Sequence, residues 1–266
     1  MLRKAPMPSW MRTIALWVLL IVLYVAFYAF FRQPGEPFPD LSGWIPVALL
    51  VGGAVVVGVF LGNRVQKGWR LNAEGSDLLS RGRIAAALEK FELARPLLKN
   101  QGQGVIPFNV GVCHLGLWHL DAAERDFTTA QDIKELPASI RKHIPVRLAL
   151  IAALQGALGV AEKRLAEARA LDAEDPLVVV TQAVITCRRE DWAQTRALLE
   201  GPATHVLGGP LRGLRDALLS WSVEKLSGER RYVDPITVFG EASTDKLRES
   251  WPALVNFLLE RARQAA

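Results

Sequence analysis

The stretch Phe108–Ala130, FNVGVCHLGLWHLDAAERDFTTA, places Gly111, Ala123, Phe127 and Ala130 successively 12, 4 and 3 positions apart. No catalytic group accounts for that spacing, but repetition does. Gly75, Ala87, Phe91 and Ala94 show the same intervals upstream, and Ala149, Ala161, Leu165 and Ala168 show them again downstream. A more eroded copy, Ala183, Thr195, Leu199 and Pro202, follows with the intervals kept. Four positions that move together mark an internal repeat, and a repeat sets the architecture before any single element is read.

The residue types give the repeat a physical meaning. Gly or Ala at 75, 111, 149 and 183 lets one helix approach its partner at a crossing, and Ala at 87, 123 and 161 supplies the matching small surface. Phe91, Phe127, Leu165 and Leu199 fill the space beside that crossing. A single pair cannot bury them, so pairs must stack into one continuous core. The pattern predicts helix pairs over about 68–101, 104–137, 142–175 and 176–202. Beyond them, Leu214, Leu218, Trp221 and Leu226 recur at helical intervals, and the stretch after Gly228 reads as a loop. A last helix starts near Thr244 and Asp245, bends or restarts at Pro252 and carries Leu254, Val255, Leu258 and Leu259 as one apolar stripe. Residues 203–266 are expected to cap the open end of the array.

The N-terminal part has another character. Half of the 266 residues are hydrophobic, and the mean hydropathy is +0.17. The excess lies in two uncharged runs, Thr13–Phe31 and Trp44–Gly62. At about 1.5 Å per residue each is long enough to cross a hydrocarbon core of about 30 Å. The first run exceeds the apolar length of a signal peptide and lacks small residues spaced for cleavage. Residues 1–63 are thus expected to form two transmembrane helices, about 13–31 and 44–62. Arg3, Lys4, Arg12, Arg64, Lys67 and Arg70 flank the hairpin, whereas its connecting loop holds Arg32 against Glu36 and Asp40. Positive flanks stay in the cytoplasm, which places both termini and the repeats there. A multi-pass protein of a bacterial inner membrane is the expected location. Ala54, Gly58 and Gly62 form a smooth face for packing on the first helix, with dimerisation through the second helix as the alternative.

At the repeated positions the chain resembles the tetratricopeptide repeat family, whose unit is about 34 residues folded as two antiparallel helices. Phe108–Gly111 is similar to that family's aromatic-Asn-Leu-Gly opening, and Gly82 falls at its inter-helix turn. The copies depart from the family in the wider spacing from Gly75 to Gly111 and from Gly111 to Ala149, in Leu71 where a large aromatic is usual, and in lacking the helix-ending proline. The resemblance implies an all-α fold, two transmembrane helices followed by an α-solenoid of TPR-like pairs. It also implies that the first helix of each pair lines a partner groove, made here by Asn72, Ser76, Asn109, Val112, His143, Val146, Arg147, Leu150, Thr181 and Val184. Asn109 and Arg147 align with the Asn and Arg that some such domains use to hold a terminal carboxylate. The remaining clamp positions do not match, since Asn72, Ser76 and His143 stand where Lys, Asn and Lys would be needed.

Other chemistry finds little support. After Asn63 the chain has 28 Lys plus Arg against 25 Asp plus Glu, with no basic stripe for nucleic acid. Basic residues beside the hairpin suit anionic lipid headgroups, at about 1 kcal/mol each. His114, His119, His143 and His205 have no metal-ligand spacing, and no loop cradles a phosphate. Cys113 and Cys187 sit on apolar helical stretches and are expected to be free, buried thiols. No catalytic residue, cofactor or metal is expected. The expectation is a non-enzymatic, membrane-anchored scaffold or adaptor whose cytoplasmic groove binds a protein segment of acidic character. The alternative is a structural subunit of a membrane complex whose hairpin is the working interface.

Overall fold

The computed structural model describes residues 45–99, 104–134, 136–231, 233–240 and 244–265. Every regular element among them is helical. The chain divides into two compact units, Met1–Gln66 and Lys67–Ala266. In chain order the helices are α1 (Ile45–Ser80), α2 (Ile84–Ala94), α3 (Val105–Gly116), α4 (Leu120–Gln131), the short α5 (Ala138–Arg141), α6 (Ile144–Leu154) and α7 (Leu158–Leu171). They continue with α8 (Pro176–Arg188), α9 (Trp192–Glu200), α10 (Gly209–Ser227), α11 (Pro235–Phe239), α12 (Thr244–Ser250) and α13 (Pro252–Ala265). Among the described residues no helix is long and apolar enough to cross a membrane. The expected span 13–31 lies outside them, as do the side chains of residues 45–51 and of Val55 in the second.

The repeat is visible first in its turns. Residues 81–83, 117–119, 155–157 and 189–191 join the two helices of each pair, so all four connections have the same length. The middle residue of each is left-handed: Gly82 at φ 75°, Trp118 at 58°, Gly156 at 84° and Glu190 at 61°. In each turn the next amide reaches back to close the first helix. Arg83, His119, Ala157 and Asp191 donate to the carbonyls of Leu78, His114, Ala152 and Thr186, each at 2.9 Å. That bond satisfies a helix-end carbonyl otherwise left without a partner and reverses the chain in few residues.

The pair contacts follow the spacing. Phe91, Phe127 and Leu199 are fully buried, as are Ala87, Ala123 and Ala161, and Leu165 is nearly so. A Cβ added to Gly75 would lie 2.7 Å from the Phe91 ring, and one added to Gly111 would lie 3.0 Å from Phe127. Glycine at those positions is therefore what allows the phenylalanine. The fourth copy carries Thr195 in the alanine position, and its hydroxyl shares a 2.8 Å hydrogen bond with Thr186. Pro202 departs from the expected register. Helix α9 ends at Glu200, so Pro202 opens a short 3-10 segment, Pro202–Val206, and is exposed.

The C-terminal helices do more than cap an end. Helix α10 packs on α9, and it also reaches α8 and, earlier in the array, α3. The Trp118 indole nitrogen donates to the carbonyl of Val238 at 3.2 Å, tying the second pair's turn to α11. The Arg188 guanidinium donates to the carbonyls of Leu154 and Ser250, the last residues of α6 and α12, and lies 4.3 Å over Trp251. A cation at two helix C-termini complements both dipoles. Arg261 pairs with Glu224 and so holds α13 to α10. Helices α6 and α8 are consequently buried nearly all round: Val146, Leu148, Leu150, Ile151, Val180 and Val184 join one core with Leu214, Leu218, Val238, Leu254, Val255 and Leu258.

Candidate functional site

The first-helix face is divided by this packing. Toward its N-terminal end, Asn72, Asn109, Val112, His143 and Arg147 are half-buried, and Ser76 is exposed. Toward its other end, Val146, Leu150, Thr181 and Val184 are buried at 1% exposure or less. The expectation that these four line an open groove is thereby corrected. Val146, Leu150 and Val184 share one buried core with residues of the C-terminal helices, and the Thr181 hydroxyl is satisfied by the carbonyl of Leu177 at 2.6 Å. The signal was present in α6, IPVRLALIAAL, which is apolar at every position but Arg147. A helix of that kind is covered on both faces.

The open part is polar and linked from helix to helix. Asn109 donates through Nδ2 to Asn72 Oδ1 at 2.9 Å, joining α3 to α1. The Arg147 guanidinium lies 5.0 Å over the Phe108 ring. Its Nη1 donates to the carbonyl of His143 at 2.9 Å. Among the described residues Arg147 makes no ion pair, although burial is strong enough to push its pKa down to about 10 against the opposing pull of Asp175. Asp175 is otherwise engaged: Oδ1 accepts the Leu177 amide at 2.9 Å as the cap of α8, and Oδ2 meets His143 Nδ1 at 2.8 Å. A half-buried cation without a carboxylate partner is costly, and a ligand anion would supply what the fold withholds. Sequence spacing brought Asn72, Asn109 and Arg147 to one face, but it missed Phe108 as the ring beneath the guanidinium.

A second concavity of about 510 Å³ lies between the start of α4 and α12, with Trp118, His119, Asp121, Arg125, Lys246 and Glu249 in its lining. No periodicity links these residues, because α12 enters from far along the chain. In the N-terminal unit, Ala54 is exposed and Gly58 and Gly62 are half-buried, with Val56, Val57, Val59 and Phe60 exposed beside them. The helix expected against that face lies outside the described residues. Cys113 and Cys187 are free and buried, and burial pushes both thiols up to about 12. Among the described residues no group of three or more His, Cys, Asp or Glu is placed to hold a metal ion.

No family model matches the chain, and neither a curated protein nor a solved structure matches it. Its class therefore rests on its own geometry, a stack of helix pairs with a partly open first-helix face.

Proposed function

We propose that this protein is a membrane-anchored scaffold or adaptor of the tetratricopeptide type, which holds a segment of a partner protein on the open part of its first-helix face. The observation that carries the reading is Arg147, a half-buried guanidinium without an ion pair among the described residues, beside the Asn109–Asn72 bridge. Arg147 offers two parallel donors to a carboxylate, and the asparagine amides suit an extended backbone. The partner segment is thus acidic. The apolar runs at 13–31 and 44–62 serve as the anchor, with the repeats in the cytoplasm. The test is Asn109→Ala combined with Arg147→Met, which removes the charge while keeping an apolar stem over Phe108. Copurification of the partner in mild detergent should fall at least tenfold, about 1.4 kcal/mol, with helicity unchanged. Undiminished capture would move the binding site off this face.

A second reading is favoured by the exposed valines beside Ala54, Gly58 and Gly62: a subunit of a membrane complex assembled through the hairpin. Replacing residues 1–63 by an unrelated anchor separates the two. An adaptor keeps its partner, and a structural subunit loses its complex.

A further inference from the structure

The open face carries a second device one helical turn from Arg147. His143 precedes α6, and its Nδ1 sits 2.8 Å from Asp175 Oδ2, while its own carbonyl accepts from Arg147. Asp175 lends negative potential to Arg147, and among the described residues it makes no ion pair with the guanidinium. The other charged groups about the imidazole are Asp172 and Lys142, which neutralise each other across 2.9 Å. With Asp175 ionised, Nδ1 carries the hydrogen toward the carboxylate whether the ring is neutral or charged. Proton uptake therefore leaves the geometry in place and changes only the charge.

Resting on the reading of Arg147 as an anion site, we propose that the His143–Asp175 pair tunes that site by pH, so that it takes an acidic segment more tightly when the imidazole is protonated. While the ring is neutral, the Asp175 charge offsets part of the potential of Arg147 and repels an incoming carboxylate. Protonation at Nε2 pairs Asp175 with a full positive charge, and the face presents a net cation to the partner. The two effects have the same sign. Charges separated by several ångströms at a half-buried surface interact by an amount that an affinity measurement resolves.

The experiment uses the full chain in detergent and a rhodamine-labelled peptide carrying four aspartates. Anisotropy titrations are run at pH 8 and pH 5.5 at fixed ionic strength. The wild-type dissociation constant should be at least threefold lower at pH 5.5, and His143→Gln should bind equally at the two pH values. Equal wild-type affinity at both pH values, or a pH response retained in His143→Gln, overturns the switch. No peptide binding at either pH, or binding indifferent to Arg147→Met, overturns the anion site itself and the switch with it.

Discussion

At the residue scale the fold depends on paired volumes. Gly75 and Gly111 face Phe91 and Phe127, whereas Ala149 and Ala183 stand where Leu165 and Leu199 fill the same space. One methyl is added on the first helix and volume is removed on the second, the kind of exchange that packed interiors tolerate. This predicts a coupling that a double-mutant cycle can read. Gly111→Ala pushes its Cβ against the Phe127 ring, at about 1–3 kcal/mol, partly offset by up to about 1 kcal/mol of helix propensity. Phe127→Leu by itself opens a void. Combined, the two changes convert the second copy to the chemistry of the third. The double variant should be at least about 0.5 kcal/mol more stable than the sum of the single effects, measured by denaturant melting. Strict additivity would mean that these residues do not share a crossing.

At the element scale, the four turns share one backbone shape but not one residue type. Gly82 and Gly156 suit the left-handed position, whereas Trp118 and Glu190 occupy it against the preference of side chains that carry a Cβ, at about 1–2 kcal/mol each. The exposed Glu190 has little to set against that strain. Glu190→Gly should raise stability by up to about 1 kcal/mol in thermal melts. Trp118 is different, since it is 1% exposed and its indole holds Val238. Trp118→Gly should lower stability by about 2–4 kcal/mol although it relieves the backbone, because a large buried side chain leaves a cavity behind. If Trp118→Gly melted no lower than wild type, the turn would not be an anchor for the C-terminal helices. Gly82 is legible as a turn in the sequence. Trp118 was not, since nothing local distinguishes an aromatic turn residue from a core position of α3.

At the scale of the molecule, helices α10 to α13 complete the core of the repeats. Each buried Leu, Val or Phe contributes about 1.5–3 kcal/mol by leaving water, and this interface holds Leu214, Leu218, Val238, Phe239, Leu254, Val255 and Leu258. A chain ended at Gly208 would lose part of the core that holds Leu150 and Val184. It is expected to melt well below the full chain and to bind a hydrophobic dye before melting. A shortened chain with unchanged melting and no dye binding would reduce these helices to an end cap. The part of the first-helix face that this core leaves unburied is the part with Asn72, Asn109 and Arg147.

The sequence by itself determined the repeat register up to Leu199, the small-to-large contacts within each pair and a break at Pro252, which the structure resolves as a restart rather than a bend. All of these are local: the helical period and the short, equal turns set Gly75 against Phe91 and Gly111 against Phe127 whatever the rest of the chain does. Only the tertiary structure decided which part of the first-helix face is open and which cation on it lacks a carboxylate among the described residues. Leu150 is buried in a core that also holds residues of helices beginning only at Gly209, and among the described residues Arg147 has no carboxylate partner, Asp175 being held by His143 and the start of α8. Amphipathic periodicity reports how a helix sits on its own neighbour. Burial on the opposite side and the distance between two charges depend on where remote segments dock, which no local spacing encodes.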